Sequence, residues 1–408
     1  MQRRVVITGV GCFAPMACNA TEFWQAMLEA KSMIGRVTRF DASAYRTQIG
    51  GEITSDVSKL AGINVKALSR NAQFSMVAAK ETLESAGTTV NGYALSKVGI
   101  CLGSGLGGIY FSEESMAALQ RSGPRGISPV EVPFVDPNGI VNNVAIHWGM
   151  RGPQLTISTA CSSSAHAIGH AMDWIRHGRC DAVLAGGVEA TMSPLVFAGF
   201  DRLRAMSTRN DSPEVACRPF SDDRDGFVMS EGAAMLFLEE ASAAKARGAT
   251  ILAEVLGYGC TGGAHHIVSP RPDADDLVDA MSKAIQDAEI SLQEIDFISP
   301  HGTGTNLNDE AEEKALRTVF GSGISDIAIV PTKQLTGHLL GAAGAIECVH
   351  TVLSMSKNCV TPIRKYESSS PLNVCVGAVK HKPMRYAIKN SFGFGNNNVS
   401  LIFGNYTP

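Results

Sequence analysis

Residues 155–172 read LTISTACSSSAHAIGHAM and hold the first group able to do chemistry, Cys161. A β-type run, Leu155-Thr156-Ile157, stops at Ser158-Thr159-Ala160, and the small residues and histidines after Cys161 read as a helix. A strand that turns into a helix places the turn residue near free backbone N–H groups and the positive end of the helix dipole. A thiol there is expected to have a lowered pKa and to act as a nucleophile. A buried small hydrophobe is the plain alternative. His301 stands in a second cluster, Ser299-Pro300-His301-Gly302-Thr303-Gly304-Thr305, delivered by a strand-like run. Loops after strands usually carry the working groups of α/β proteins; a capped, hydrogen-bonded loop histidine is the alternative. In Lys333-Gln334-Leu335-Thr336-Gly337-His338, Lys333 lies in a turn and His338 opens a helix. A helix N-terminus disfavours the imidazolium, so His338 is expected to be neutral. Glu347 lies in the apolar run LLGAAGAIECV, where a carboxylate needs a partner; Lys333 is a candidate. Phe394, between two glycines in NSFGFGNNN, reads as a mobile lid or as a turn before a strand. His166 and His170 have zinc-ligand spacing but no third ligand nearby, so no metal is expected.

The chain that positions these groups has 408 residues, 45% of them hydrophobic and 18% charged. That composition and length suit two or three domain-sized units with ample core. A net charge of −4 argues against holding nucleic acid as the main task. No apolar run is long enough to span a membrane. Ten cysteines without metal-type spacing, and no export signal at the start, predict free thiols in a reducing cytoplasm. Residues 3–8 read as a buried strand with Gly9 and Gly11 in the following loop, 20–30 as a helix capped by Asn19, and 70–86 as a helix stopped by Gly87. The strand 98–102 runs into GSGLGG, which predicts a tight turn against a neighbouring backbone. Residues 121–139 look mostly irregular. From residue 250 the pattern restarts, and the strand, turn and Ala/Gly-rich helix at 329–356 echo those around Cys161. Two similar α/β halves, 1–250 and 251–408, packed as one body, are expected.

TAC at 159–161, HGTGT at 301–305, TKQLTGHLLGAAGAIE at 332–347 and NSFGFGN at 390–396 occur in one order. Together with LAGGVEA at 184–190 and RPFSDDRDGFVMSEGA at 218–233, the chain resembles the elongating β-ketoacyl-[acyl-carrier-protein] synthases of type II fatty acid synthesis, within the thiolase superfamily. The likeness runs along essentially the whole chain. It implies a five-layered αβαβα fold of two duplicated halves. It implies an acyltransferase in which Cys161 accepts an acyl chain from an acyl carrier protein. Malonyl carrier protein then loses carbon dioxide, and its enolate attacks the acyl-cysteine to extend the chain by two carbons. His301 and His338 would stabilise the enolate, and Lys333 and Glu347 would form a buried pair beside them. The backbone N–H groups of Cys161 and Phe394 would form the oxyanion hole, with Phe394 also the gate. Thr303 and Thr305 would grip the phosphopantetheine arm, which arrives with the carrier, so no separate cofactor is expected. Leu106 and Glu131 would contact substrate.

Acidic carriers favour a basic rim, for which Lys66, Arg70, Arg125, Arg202 and Arg204 are candidates. The resemblance implies a homodimer, and a heterodimer with a related ketosynthase-like subunit stays open. A subunit that shapes chain length without doing chemistry is the competing reading, and it lacks the nucleophile that this chain keeps. Two stretches depart from the family's pattern. The lid reads GFGNNN, with Asn396 and Asn397, where the family has GFGG followed by Thr or Ser and Asn, so the family's gate motion does not carry over directly. Glu131, Asp136 and Asn138 bring polarity to a segment that closes the acyl tunnel with apolar side chains in the family. A pocket reshaped for a polar or polyunsaturated chain is one reading; solvent-facing side chains are the other.

Overall fold

Five strands from each half of the chain form the scaffold. The computed structural model describes residues 3–62, 65, 68–90, 92–129, 131–364 and 367–407. Strands β1 (Val5–Phe13), β2 (Val98–Gly103), β3 (Gln154–Ile157), β4 (Ala182–Glu189) and β5 (Gly232–Glu240) come from the first half. Strands β6 (Ala253–Gly262), β7 (Ile295–Ser299), β8 (Ala328–Ile329), β9 (Tyr386–Gly393) and β10 (Asn397–Gly404) come from the second. Their hydrogen-bonded order is β8-β7-β9-β10-β6-β1-β5-β4-β2-β3. An antiparallel seam, with Val5 opposite Val255, joins β1 to β6. Outward from that seam, both sides follow the order first, fifth, fourth, second, third strand.

Helices α1 (Arg70–Ser85), α2 (Gly139–Trp148), α3 (Ser163–Arg176), α4 (Asp275–Asp287), α5 (Asn306–Phe320) and α6 (Ala343–Ser356) cover the strands in layers. Successive strand residues face opposite ways, so each half-sheet feeds two cores. In β5, Leu236 and Leu238 join the central core, whereas Met235 and Phe237 join an outer one. The central core brings α3 (Ile168, Met172) and α6 (Ile346, Val349) together with the inner faces of both half-sheets. The outer cores are closed by α1 and α2 over the first half and by α4 and α5 over the second. The result is the thiolase-like five-layered α/β fold. Helix α6 is buried from Ala343 to Met355, and its buried polar side chains Glu347 and His350 find partners inside the fold.

Three sequence expectations are corrected. Gly9 and Gly11 lie inside β1, beside an irregularity between Ile7 and Gly9. They are needed because α1 crosses directly over them: a Cβ on Gly9 would lie 2.4 Å from the Thr82 carbonyl, and one on Gly11 2.6 Å from that of Ala78. Residues 121–139 are largely helical, with the end of a helix Ile109–Ser122, a turn Gly123–Gly126, a short helix Glu131–Val135 and the start of α2. Pro124 and Pro133 stand in first turns, where a missing N–H breaks no intrahelical bond. Lys333–Thr336 is a separate turn of helix, and α6 begins only at Ala343, so His338 does not open it. Among the described residues no helix is long and apolar enough to cross a membrane.

Gly11→Ala is expected to destabilise the protein by about 2 kcal/mol or more, because neither the strand nor α1 can yield cheaply. Gly199→Ala, at an exposed helical position with open space around its Cβ, is expected to be neutral or to stabilise by roughly 0.5–1 kcal/mol. Urea unfolding midpoints of the two variants measure the contrast; equal midpoints would contradict the packing account.

Candidate active site

Cys161 occupies the turn between β3 and α3. Ala160 takes a left-handed φ of 52°, and Ser163 ties the turn by donating from Oγ to the Ala160 carbonyl (2.6 Å) while accepting from Thr159 N–H (2.9 Å). Close approach is permitted by Gly103, whose Cβ would lie 2.2 Å from the Ser164 nitrogen; the tight turn expected of GSGLGG is therefore present. Glu189 holds that loop by accepting from Ser104 Oγ (3.0 Å) and the N–H groups of Gly105 (2.7 Å), Leu106 (3.1 Å) and Gly341 (2.9 Å). Leu106 packs in the apolar cluster around Cys161, with Met192, Val196 and Leu340.

His338 Nε2 lies 3.1 Å from Cys161 Sγ, although 177 residues separate them. The backbone of His338 is pinned to the segment before β5, donating to Val228 O (2.7 Å) and accepting from Ser230 N (3.0 Å). His301 stands beside it, ring centroids 5.4 Å apart at 79°. Its loop is held by two acids of α5. Glu312 accepts from the N–H groups of His301 and Gly302, both at 2.7 Å. Asp309 accepts from those of Thr303 (3.0 Å) and Gly304 (3.1 Å). Lys333 Nζ reaches His301 Nδ1 at 3.3 Å, and also its carbonyl oxygen. An ammonium only donates, so Nδ1 accepts and the ring proton is assigned to Nε2. Glu347 Oε1 pairs with Lys333 at 2.5 Å, and its Oε2 with Lys389 at 2.8 Å.

Burial, with Lys333 and Lys389 nearby, pulls both His301 and His338 well below the ordinary histidine range. The neutral imidazole expected at 338 is thus present, but burial and two ammonium groups cause it rather than a helix end. The lowered thiol pKa expected at 161 is not found. Burial pushes Cys161 up to about 11, against the opposing effects of Lys333 and the N–H groups of Phe394 and Cys161 itself. Helix α3 starts two residues later, so the dipole acts from a distance while desolvation acts in full.

The cavity above these groups has a volume of about 410 Å³, and Cys161, His301, His338, Thr303, Thr305 and Phe394 line it. Thr303 and Thr305 share a hydroxyl hydrogen bond of 2.9 Å. The Phe394 ring lies against Phe200, centroids 6.3 Å apart. Ligand atoms of Cys161, His301 and His338 come within 4.8 Å of one another, a set soft enough for zinc. The two buried ammonium groups beside them oppose a divalent cation.

The docking candidates divide. Arg204 lies on the cavity rim and is exposed, as are Arg202 and Arg125. Arg70 is corrected: its guanidinium is bound to buried Glu231 and to the Ile53 carbonyl, and lies over the Phe74 ring, so it balances an internal charge. Lys66 lies outside the described residues, as does the side chain of Glu131. Asp136 is exposed and accepts from the Asn138 N–H (3.0 Å), and Asn138 Nδ2 donates to Asn142; these groups serve their own turn. Lys389, Glu312, Asp309 and Glu189 escaped the sequence reading. A lysine in the apolar strand AIKNSF, and acids three apart after HGTGT, were the available signals.

Alkylation of Cys161 by iodoacetamide, followed by peptide mass spectrometry, is expected to speed up about tenfold per pH unit between pH 7 and 9, because only the thiolate reacts. A plateau below pH 8 would show that the local field outweighs burial.

The beta-ketoacyl synthase N-terminal domain family matches residues 2–244, and the C-terminal domain family residues 252–367. The 3-oxoacyl-[acyl-carrier-protein] synthase 2 of Coxiella burnetii is 39% identical over 407 residues, covering 98% of each chain. That of Vibrio cholerae is 39% identical over 410 residues, covering 98% of this chain and 99% of its own. A ketosynthase solved with its type II polyketide acyl carrier protein and bound hexaketide superposes with a TM-score of 0.92 at 30% identity, covering 100% of both chains. With both domains matched in order and relatives aligned from end to end, the chain belongs to the beta-ketoacyl synthase family.

Proposed function

We propose that the protein is a β-ketoacyl-[acyl-carrier-protein] synthase that carries its acyl chain on Cys161. The observation that supports this reading above all is the 3.1 Å contact between Cys161 Sγ and His338 Nε2, with neutral His301 alongside, on one cavity. The thiol attacks the carrier's acyl thioester. A new S–C bond forms at Cys161, the carrier's thiol leaves, and the Cys161 proton passes to it. The N–H groups of Cys161 and Phe394 stabilise the oxyanion of this step. Malonyl thioester then enters, held through its pantetheine arm by Thr303 and Thr305. Its C–CO₂ bond breaks, carbon dioxide leaves, and the electron pair becomes an enolate whose oxygen accepts from His301 and His338. The enolate carbon attacks the acyl-cysteine carbonyl and expels the Cys161 thiolate, giving a 3-oxoacyl chain two carbons longer.

Neutral histidines suit this work. Each can donate to an oxygen that gains charge only in the transition state, which lowers the barrier more than ground-state binding does. Lys333, Glu347 and Lys389 position His301. The repeated strand order around the seam supports a division into residues 1–250, which carry the nucleophile, and 251–408, which carry the histidines. All ten cysteines are unpaired, which suits a reducing cytoplasm. Strand β3 ends the sheet with Leu155 41% exposed; an unpaired edge of this kind suits a second subunit, identical or a related ketosynthase-like chain. A non-catalytic, chain-length-shaping role is disfavoured by the intact Cys161, His301 and His338.

Cys161→Ala is expected to abolish condensation with the fold retained and malonyl decarboxylation continuing. His301→Ala is expected to lower decarboxylation by about 10²–10³. Continued 3-oxoacyl formation by Cys161→Ala, read by mass spectrometry of the carrier, would refute the assignment. For docking, Arg204→Glu is expected to raise KM for acyl carrier protein roughly tenfold, about 1.4 kcal/mol, with no change for a small acyl thioester. Equal effects on both substrates would remove Arg204 from the docking surface.

A further inference from the structure

We propose that Asn396 is a positioning residue that ties the Phe394 turn to the 263–269 loop, so that the two loops move as one body and hold the Phe394 N–H against Cys161. The tie is read from geometry alone; its use in acyl transfer rests on the condensing reading above. Asn396 is 4% exposed, with a left-handed φ of 56° that asparagine tolerates. Its Oδ1 accepts from the N–H groups of His265 (3.1 Å) and His266 (3.2 Å). Its Nδ2 donates to the Ser269 carbonyl at 2.9 Å. Two backbone bonds run between the same loops, Gly263 N to Asn396 O (2.9 Å) and Gly395 N to Ile267 O (2.8 Å).

The neighbouring asparagines do other work. Asn397 Nδ2 closes the turn on the Phe394 carbonyl (3.1 Å), and Asn398 Nδ2 anchors β10 to Asp276 of α4 (2.8 Å). The loops are also pressed together: a Cβ on Gly263 would lie 2.2 Å from Asp276 Oδ2 and 2.7 Å from Asn396 Cβ. Val268, Ser269, Phe394 and Asn396 all line the cavity over Cys161. Displacing the Phe394 turn therefore breaks three part-buried side-chain hydrogen bonds or carries the 263–269 loop along. Glycine at 396 keeps the left-handed backbone and removes all three.

The test compares full-length Asn396→Gly and Asn396→Asp with the parent by hydrogen exchange and single-turnover kinetics. Asn396→Gly is expected to speed amide exchange about tenfold in both 263–269 and 393–398, leaving α3 unchanged. It is expected to slow acylation of Cys161 roughly tenfold or more through lost positioning while malonyl decarboxylation continues at the parent rate. Asn396→Asp keeps the two acceptor bonds and is expected to retain most of the protection at 265 and 266. Parent-like exchange at 263–269 in Asn396→Gly overturns the tie, and a parallel fall of acylation and decarboxylation overturns the positioning role. Faster exchange in both loops, with no acylation of Cys161 even in the parent, supports the tie and refutes the condensing reading instead.

Discussion

A buried charge cluster governs the site. Lys333 and Glu347 are each 1% exposed and Lys389 is fully buried, and they come from a turn after β8, from α6 and from β9. Glu347 bridges the two lysines, and Lys333 reaches on to His301. Burying three charges is costly, and removing one partner from such a pair typically costs about 3–5 kcal/mol because the other is left uncompensated. The cluster therefore fixes how three elements meet. It also leaves one excess positive charge beside two imidazoles, and that charge, added to their burial, keeps both rings neutral.

The same burial decides the state of the thiol. A helix N-terminus contributes at most about 2 kcal/mol in a partly buried geometry. Moving a thiol from 9.0 to about 11 corresponds to about 3 kcal/mol in the opposite sense. The resting pair is consequently a thiol beside a neutral imidazole. Nucleophilicity arises when the proton leaves during attack, and Lys333 and the N–H groups of Phe394 and Cys161 favour the thiolate as it forms.

Bringing Cys161 and His338 into contact depends on residues with almost no side chain. Where α3 and α6 meet, a Cβ on Gly344 would lie 3.0 Å from Ser164 Oγ, and Ser164 Oγ instead accepts from the Ala345 N–H at 2.9 Å. Gly341 fits beneath Glu189, where a Cβ would lie 2.2 Å from the Gly105 nitrogen. These contacts join the turn bearing the nucleophile to the turn bearing the histidine. The two halves of the fold thus behave as one at the site, while the layers outside them are ordinary helix-on-sheet packing.

The amino-acid sequence by itself determined the α/β class, and it pointed to a repeat after residue 250 and to residues able to do chemistry. Each of these leaves a local mark: a period of apolar residues, a glycine-flanked histidine, a carboxylate in an apolar run. Set against the family's pattern, it also marked Asn396 and Asn397 in GFGNNN as departures, without showing what those side chains hold. Only the tertiary structure decided the rest. Lys389 became a member of the charge cluster because β9 runs beside β7, a pairing no local pattern encodes. Arg70 changed from a surface candidate to the partner of Glu231, 161 residues away. Gly9 and Gly11 moved from loop to strand because α1 packs across them. The ionisation states, too, belonged to the fold: dipole reasoning works on one helix end, whereas desolvation and neighbouring charges add up over every element that surrounds a group.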